Sequence, residues 1–328
     1  MSLPRATRGV AGPGAPLHDT LNPPQASFAG GRAALILSQL VLGFVALAAW
    51  TAPLQAGTIY IPNASFESPV TDYAWPQIDS WQQTPSWTNE ESGVFLNLPP
   101  YIDNCDGSQA AFLFAAPQAA LFQDYDSTDW SNSVPTHAFN ATFDVGESYT
   151  LTVAVLGGTN LTYPMQVGTT LQLSLYYRDA SSNMVIVAAT TITNSGQLFP
   201  TNTHFVDFSV YVPGVRTNDP WAGQNIGVQI ASTVSPDLAG GYWDLDNVRL
   251  TETALPALTN PGVTNSQCAF TLQSQPGLSF EILASTNLAL PLSNWTSLGT
   301  LTNLTGVIPF LDPATNLNRR FYQARQLP

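Results

Sequence analysis

The stretch Tyr242-Trp243-Asp244-Leu245-Asp246-Asn247-Val248-Arg249-Leu250 decides the fold, because its apolar residues keep a period of two and break it once. Trp243 and Leu245 share one face of an extended chain. Val248 and Leu250 also share a face, but the two pairs stand three residues apart. Both pairs can point into one core only where the strand carries an extra residue. The spacing therefore predicts a β-bulge at Asp246-Asn247. A bulge re-aims polar side chains near a sheet edge, a setting that suits a metal site.

The same period runs outward through the chain. Tyr149, Leu151, Val153 and Val155 alternate with Thr150, Thr152 and Ala154; Leu171, Leu173, Leu175 and Tyr177 repeat the pattern. Phe205, Phe208, Val210 and Val212 follow it with one irregularity. Turn-forming clusters at 157–160, 181–183 and 213–220 punctuate these runs, and no window after residue 57 shows a helical stripe. The expectation is an all-β chain, a jelly-roll β-sandwich followed by a small second β-domain. The first domain spans 57–252. Residues 253–262 read as a Pro-containing linker, and 263–328 as a second domain near the lower size limit for an independent core.

Composition narrows the partners. Of 328 residues only 9% are charged, far below the roughly 25% of an average soluble protein. There is no lysine, and the net charge is −13. Phosphate binding needs a cationic face, so a nucleic-acid partner is not expected. An acidic surface is compatible with divalent cations and neutral sugars. Arg32 precedes an eighteen-residue apolar run ending at Trp50, followed by small residues up to Ala56. This reads as a secretory signal over 32–56, cut after Ala56, behind a disordered extension at 1–31. The alternative is an uncleaved transmembrane tether. Either way the protein is expected outside the cytosol, secreted or in the cell envelope. Cys105 and Cys268 are allowed to pair there but do not form a scaffold.

Two segments bracket the first domain: Ile59-Tyr60-Ile61-Pro62-Asn63-Ala64-Ser65-Phe66-Glu67 and the closing strand quoted above. Their pairing resembles galactose-binding-like jelly rolls, the fold of many carbohydrate-binding modules. The resemblance implies that the first and last strands lie together and that Glu67 and Asp246 hold a structural Ca²⁺, with backbone oxygens completing the shell. Such a hard cation takes six to eight oxygens. Trp87-Thr88, Gly93-Val94-Phe95 with Asn97 and Pro99, Asp106 to Ala111, and Tyr149 to Val153 are further similar to the Stig cyclases. These are calcium-containing jelly rolls that direct Cope rearrangement and cyclisation of indole-terpenoid precursors. By that resemblance an Asp near the domain's end serves as acid, here Asp244 or Asp246. Polar inserts at 124–135 and 193–202 depart from the family. Residues 280–288, Trp295-Thr296, and 310–313 with 320–322 resemble C-terminal modules of large secreted proteins from environmental bacteria, which implies no catalytic role.

No zinc spacing, nucleophile elbow, P-loop or dinucleotide fingerprint occurs. The acids of 124–129 read as turn formers or as a second calcium loop. Trp75, Trp81, Trp87 and Trp130 fall in segments of poor strand pattern and are candidate platforms on which sugar rings stack. The first reading is a calcium-stabilised, non-catalytic binding protein for a neutral glycan. The second is a cyclase-like enzyme on the same jelly roll, and the third a structural or adhesion protein.

Overall fold

The computed structural model describes residues 56–84, 92–98, 102–157, 165–195, 197–199, 203–264, 267–315 and 319–327. The extension and the signal segment before residue 56 lie outside the described residues, and so does Trp87. Among the described residues the first domain holds twelve strands: β1 (Gly57–Ile59), β2 (Ala74–Trp75), β3 (Gln82–Thr84), β4 (Ser92–Leu96), β5 (Gln109–Phe114), β6 (Ala120–Gln123), β7 (Glu147–Gly157), β8 (Thr170–Arg178), β9 (Met184–Thr193), β10 (Val206–Val212), β11 (Gly227–Ser232) and β12 (Tyr242–Ala254). Six more follow: β13 (Ala257–Thr264), β14 (Gln267–Gln273), β15 (Ser279–Ser285), β16 (Thr296–Thr302), β17 (Val307–Thr315) and β18 (Phe321–Gln326). None of the described helices is long and apolar enough to cross a membrane.

The architecture is an all-β jelly-roll sandwich. One sheet runs β10-β7-β12-β5-β4-β2 with β1 paired to β12, and the facing sheet runs β3-β6-β11-β8-β9. Gly57, Thr58 and Ile59 pair with Glu252, Thr251 and Leu250, so the first and last strands of the domain lie side by side. The bulge falls where the spacing places it. The β12–β7 register shifts between Asp246 and Arg249, and Asn247 takes a φ of 47°, a left-handed conformation that Asn tolerates better than most residues. Trp243, Leu245, Val248 and Leu250 are consequently all buried in one core. Full burial of each such side chain contributes about 1.5–3 kcal/mol.

The stretch expected as a linker is mostly strand. Thr253 and Ala254 finish β12, and β13 begins at Ala257. Leu255 donates its N–H to the Gly146 carbonyl at 2.8 Å, so the connection is seated against the first domain instead of hanging free. Beyond it, two three-stranded sheets, β13-β14-β17 and β16-β15-β18, enclose a core of Phe270, Leu272, Phe280 and Ile282. Cys105 and Cys268 are free thiols.

Candidate functional site

The opening segment is a turn held by one side chain. Asn63 and Phe66 have left-handed backbones, with φ of 50° and 55°. Asn63 Oδ1 accepts the Ser68 N–H at 3.0 Å, and Nδ2 donates to the Ser68 and Asp79 carbonyls at 2.7 and 2.8 Å. The turn drives Phe66 into the core against Trp81, ring centroids 5.3 Å apart. It leaves Glu67 facing the loop 105–109, where Oε1 accepts the N–H groups of Ser108 and Gln109, each at 2.8 Å. Gly107 (φ 96°) allows this approach: a Cβ there would lie 2.4 Å from Glu67 Oε1.

Asp246 grips the same loop from the other side. Its Oδ2 accepts the Asp106 N–H at 2.6 Å and its Oδ1 the Asn247 N–H at 2.7 Å. Val248 N–H donates to the Ala64 carbonyl at 2.9 Å, tying the bulge to the opening turn. The bulge and the turn thus bring Glu67 and Asp246 to one loop from the two ends of the domain.

The electrostatics of this junction are unusual. Asp246 is fully buried, and among the described residues no Arg or His pairs with it. Burial pushes its carboxyl up to about 7, against the two backbone donors that lower it. Burial, then the Asp246 charge, push the neighbouring Cys105 thiol up to about 12, so it is no nucleophile at neutral pH. Buried anions are normally paired or bound to metal. Glu67 and Asp246 supply two carboxylates to one loop, and no three His, Cys, Asp or Glu side chains converge among the described residues. Calcium accepts backbone and amide oxygens for the remainder of its shell.

Asp244, two residues back, has different surroundings. It lies on the outer face of the larger sheet, directly between Phe112 of β5 and Leu156 of β7. Tyr242 stands beside it on the same face, 5.7 Å from the Phe112 ring and 5.1 Å from that of Phe114. Leu156 is fully buried, whereas Asp244, Phe112, Phe114 and Tyr242 are half-buried. The Phe112 ring lies across Gly93, where a Cβ would come within 2.8 Å of it. Sequence reasoning missed Phe112 and Phe114. The signal was there in Gln109–Phe114, where small and aliphatic residues face the core and two aromatics take the other side.

The tryptophans divide. Trp81 is 3% exposed and donates to the Asn63 carbonyl at 3.1 Å, which makes it a core residue and not a platform. Trp75 and Trp130 are 43% and 48% exposed and meet edge to face at 6.1 Å. In the expected second calcium loop, one acid is already engaged. Asp124 accepts from Arg178 Nε and from the Tyr176 hydroxyl, both at 2.7 Å, so this carboxylate already has its counter-ion.

A model of the HpiC1-like family, described as HpiC1 cyclase, matches residues 57–251. The chain belongs to the HpiC1-like family. Among solved structures, this HpiC1-like chain is similar to the Stig cyclase Fisc from Fischerella sp. TAU, determined in complex with (3Z)-3-(1-methyl-2-pyrrolidinylidene)-3H-indole. Identity is 24%, covering 61% of this chain and all of that one, with a TM-score of 0.45. It is also similar to a family 22 xylan-binding domain, at 14% identity over 62% of this chain and 96% of that one (TM-score 0.30). The adhesin domain of Lys-gingipain is 13% identical over 60% and 99% (TM-score 0.34). None of the three is similar enough for its chemistry to carry over. No curated protein matches the chain.

Proposed function

We propose that the first domain is a cyclase-type catalyst that rearranges an apolar, terpenoid-type substrate, with Asp244 as the acid. Membership of the HpiC1-like family supports the class. The observation that carries the assignment is the placing of Asp244 among Phe112, Leu156 and Tyr242, while Asp246 is committed to the backbone amides of Asp106 and Asn247. Asp244 gives its proton to a polarised double bond. The rings of Phe112 and Tyr242 face the cation that forms, a contact worth about 2 kcal/mol when desolvated. Return of a proton to the Asp244 carboxylate regenerates the acid, so the reaction is an isomerisation with no net oxidation. Glu67 and Asp246 would hold a structural calcium ion that stabilises the fold. The 32–56 segment supports action outside the cytosol.

The test is incubation with unsaturated indole-terpenoid substrates, resolved by chromatography because product and substrate have equal mass. A positioned general acid contributes about 10²–10⁴-fold. Asp244→Asn should therefore lose at least about a hundredfold in rate while melting like the wild type. An undiminished rate in that variant sinks the assignment.

A second reading has one observation in its favour, the exposed Trp75–Trp130 pair. Two half-exposed indoles on the flank of an acidic, lysine-free surface suit stacking of a neutral sugar ring. Pull-down on insoluble polysaccharides, with and without Trp130→Ala, tests it.

A further inference from the structure

We infer that the C-terminal module has a binding site of its own for a small apolar organic anion, centred on Arg320. Two neighbouring open clefts, of about 390 and 310 Å³, share this residue in their walls. The first is apolar, lined by Phe270, Trp295, Phe321, Leu258 and Leu288. The second presents Ser285, Thr286, Asn294 and Thr296. A ligand with a ring in the first cleft places its polar end at Arg320, with hydroxyls and an amide beyond.

Arg320 is held for such a role by groups that the small core can ill spare. Asp312 is 1% exposed and lies 3.1 Å from Arg320 Nη1. The Tyr322 hydroxyl donates to Asp312 Oδ2 at 2.7 Å, and Gln267 Nε2 donates to the Asp312 carbonyl at 2.9 Å. A buried ion pair adds little net stability, because desolvating both charges costs several kcal/mol per ion. Among the described residues the buried apolar cluster around it is small: Phe270, Leu272, Phe280 and Ile282. A purely structural module of this size gains more from apolar side chains there. Nη1 is directed at Asp312, and among the described residues the other guanidinium N–H groups meet no acceptor.

Charge selects an anion. The module holds two acids, Glu281 and Asp312, against Arg319, Arg320 and Arg325, while all other acids of the chain lie before residue 253. Glu281 pairs with Arg325 and Asp312 with Arg320. Arg319 is exposed and has no carboxylate partner among the described residues. The planar guanidinium fork matches a carboxylate or sulfonate.

Titration of the whole mature protein with 2-naphthoate, followed by ligand fluorescence and calorimetry, tests the site against the neutral analogue 2-naphthylmethanol. Leu288 is 64% exposed at the cleft rim, so Leu288→Asp adds a like charge without disturbing the core. The expected results are at least tenfold tighter binding of the carboxylate than of the alcohol and at least tenfold weakening by Leu288→Asp. Asp244→Asn should leave binding unchanged, which keeps the site separate from the catalytic reading. Equal binding of acid and alcohol, or indifference to Leu288→Asp, overturns the proposal.

Discussion

Asp246 accepts the backbone N–H of Asp106 at 2.6 Å across 140 residues of sequence. With Glu67 on the Ser108 and Gln109 amides, the loop 105–109 is clamped between both ends of the domain. Asp246→Ala strips the acceptor from two amides, each costing about 1–3 kcal/mol when left unsatisfied. The thermal midpoint should fall by roughly 10 °C, since about 1 kcal/mol corresponds to 2–4 °C in a domain of this size. Calcium should raise the wild-type midpoint and EDTA lower it, because a ligand bound by the native state alone stabilises it by about 2.7 kcal/mol at a hundred times Kd. Glu67→Gln and Asp246→Asn should abolish that response. A wild-type melt indifferent to both reagents removes the calcium site.

Glu147 gives a pH signature elsewhere. Burial first, then the charges of Glu252 and Asp144, hold its carboxyl above the usual range. The folded state therefore binds this proton more tightly than the unfolded chain does. The resulting stability is present below the unfolded value of about 4.3 and is lost as pH rises through the folded one. Glu147→Gln removes the repulsion, so its midpoint should exceed the wild type's by about 1 °C at pH 7, a small figure because the group is largely solvated. Near pH 3.5 the two should coincide. Differential scanning fluorimetry across that range decides it, and a constant offset at all pH values rules the linkage out.

The bulge was legible because an error of one residue in a period-two pattern leaves a visible mark, and Trp243, Leu245, Val248 and Leu250 carry it. The pairing of β1 with β12 came through the Asn63–Glu67 segment. What was not legible depended on the third dimension. Nothing in the sequence distinguishes the buried Trp81 from the exposed Trp75, because their difference is which side of a short turn each leaves. The two aspartates of the closing strand differ in their neighbours, β5 and β7 beside Asp244 and the loop 105–109 at Asp246. Asp124 looked like a cation ligand because Arg178, its partner, stands 54 residues away.

Trp81 and Trp75 should behave oppositely on truncation. Trp81 is packed on Phe66 and bonded to the Asn63 carbonyl. Trp81→Ala should cost about 3–5 kcal/mol, the usual range for a large aromatic removed from a core. Trp75→Ala and Trp130→Ala expose no cavity and should change stability by less than about 0.5 kcal/mol. Urea unfolding of the three variants distinguishes them, and similar losses in all three would show that the exposed pair is structural after all.

The Asp124–Arg178 pair allows a sharper test, because each charge has a second partner. Arg178 lies over the Phe122 and Tyr176 rings at 5.8 and 5.9 Å, so losing Asp124 leaves it two aromatic faces. Asp124 is 7% exposed, and losing Arg178 leaves its carboxylate, among the described residues, the Tyr176 hydroxyl and the Asp126 N–H as donors. Arg178→Met should therefore destabilise more than Asp124→Asn, by roughly 2 kcal/mol against 1, below the 3–5 kcal/mol of a fully buried pair because Arg178 is partly solvated. The double variant should recover most of the loss, since it leaves no uncompensated buried charge. All three should keep the wild-type response to calcium. If Asp124→Asn alone weakened that response, the loop would be a metal ligand and the ion pair a substitute for the cation.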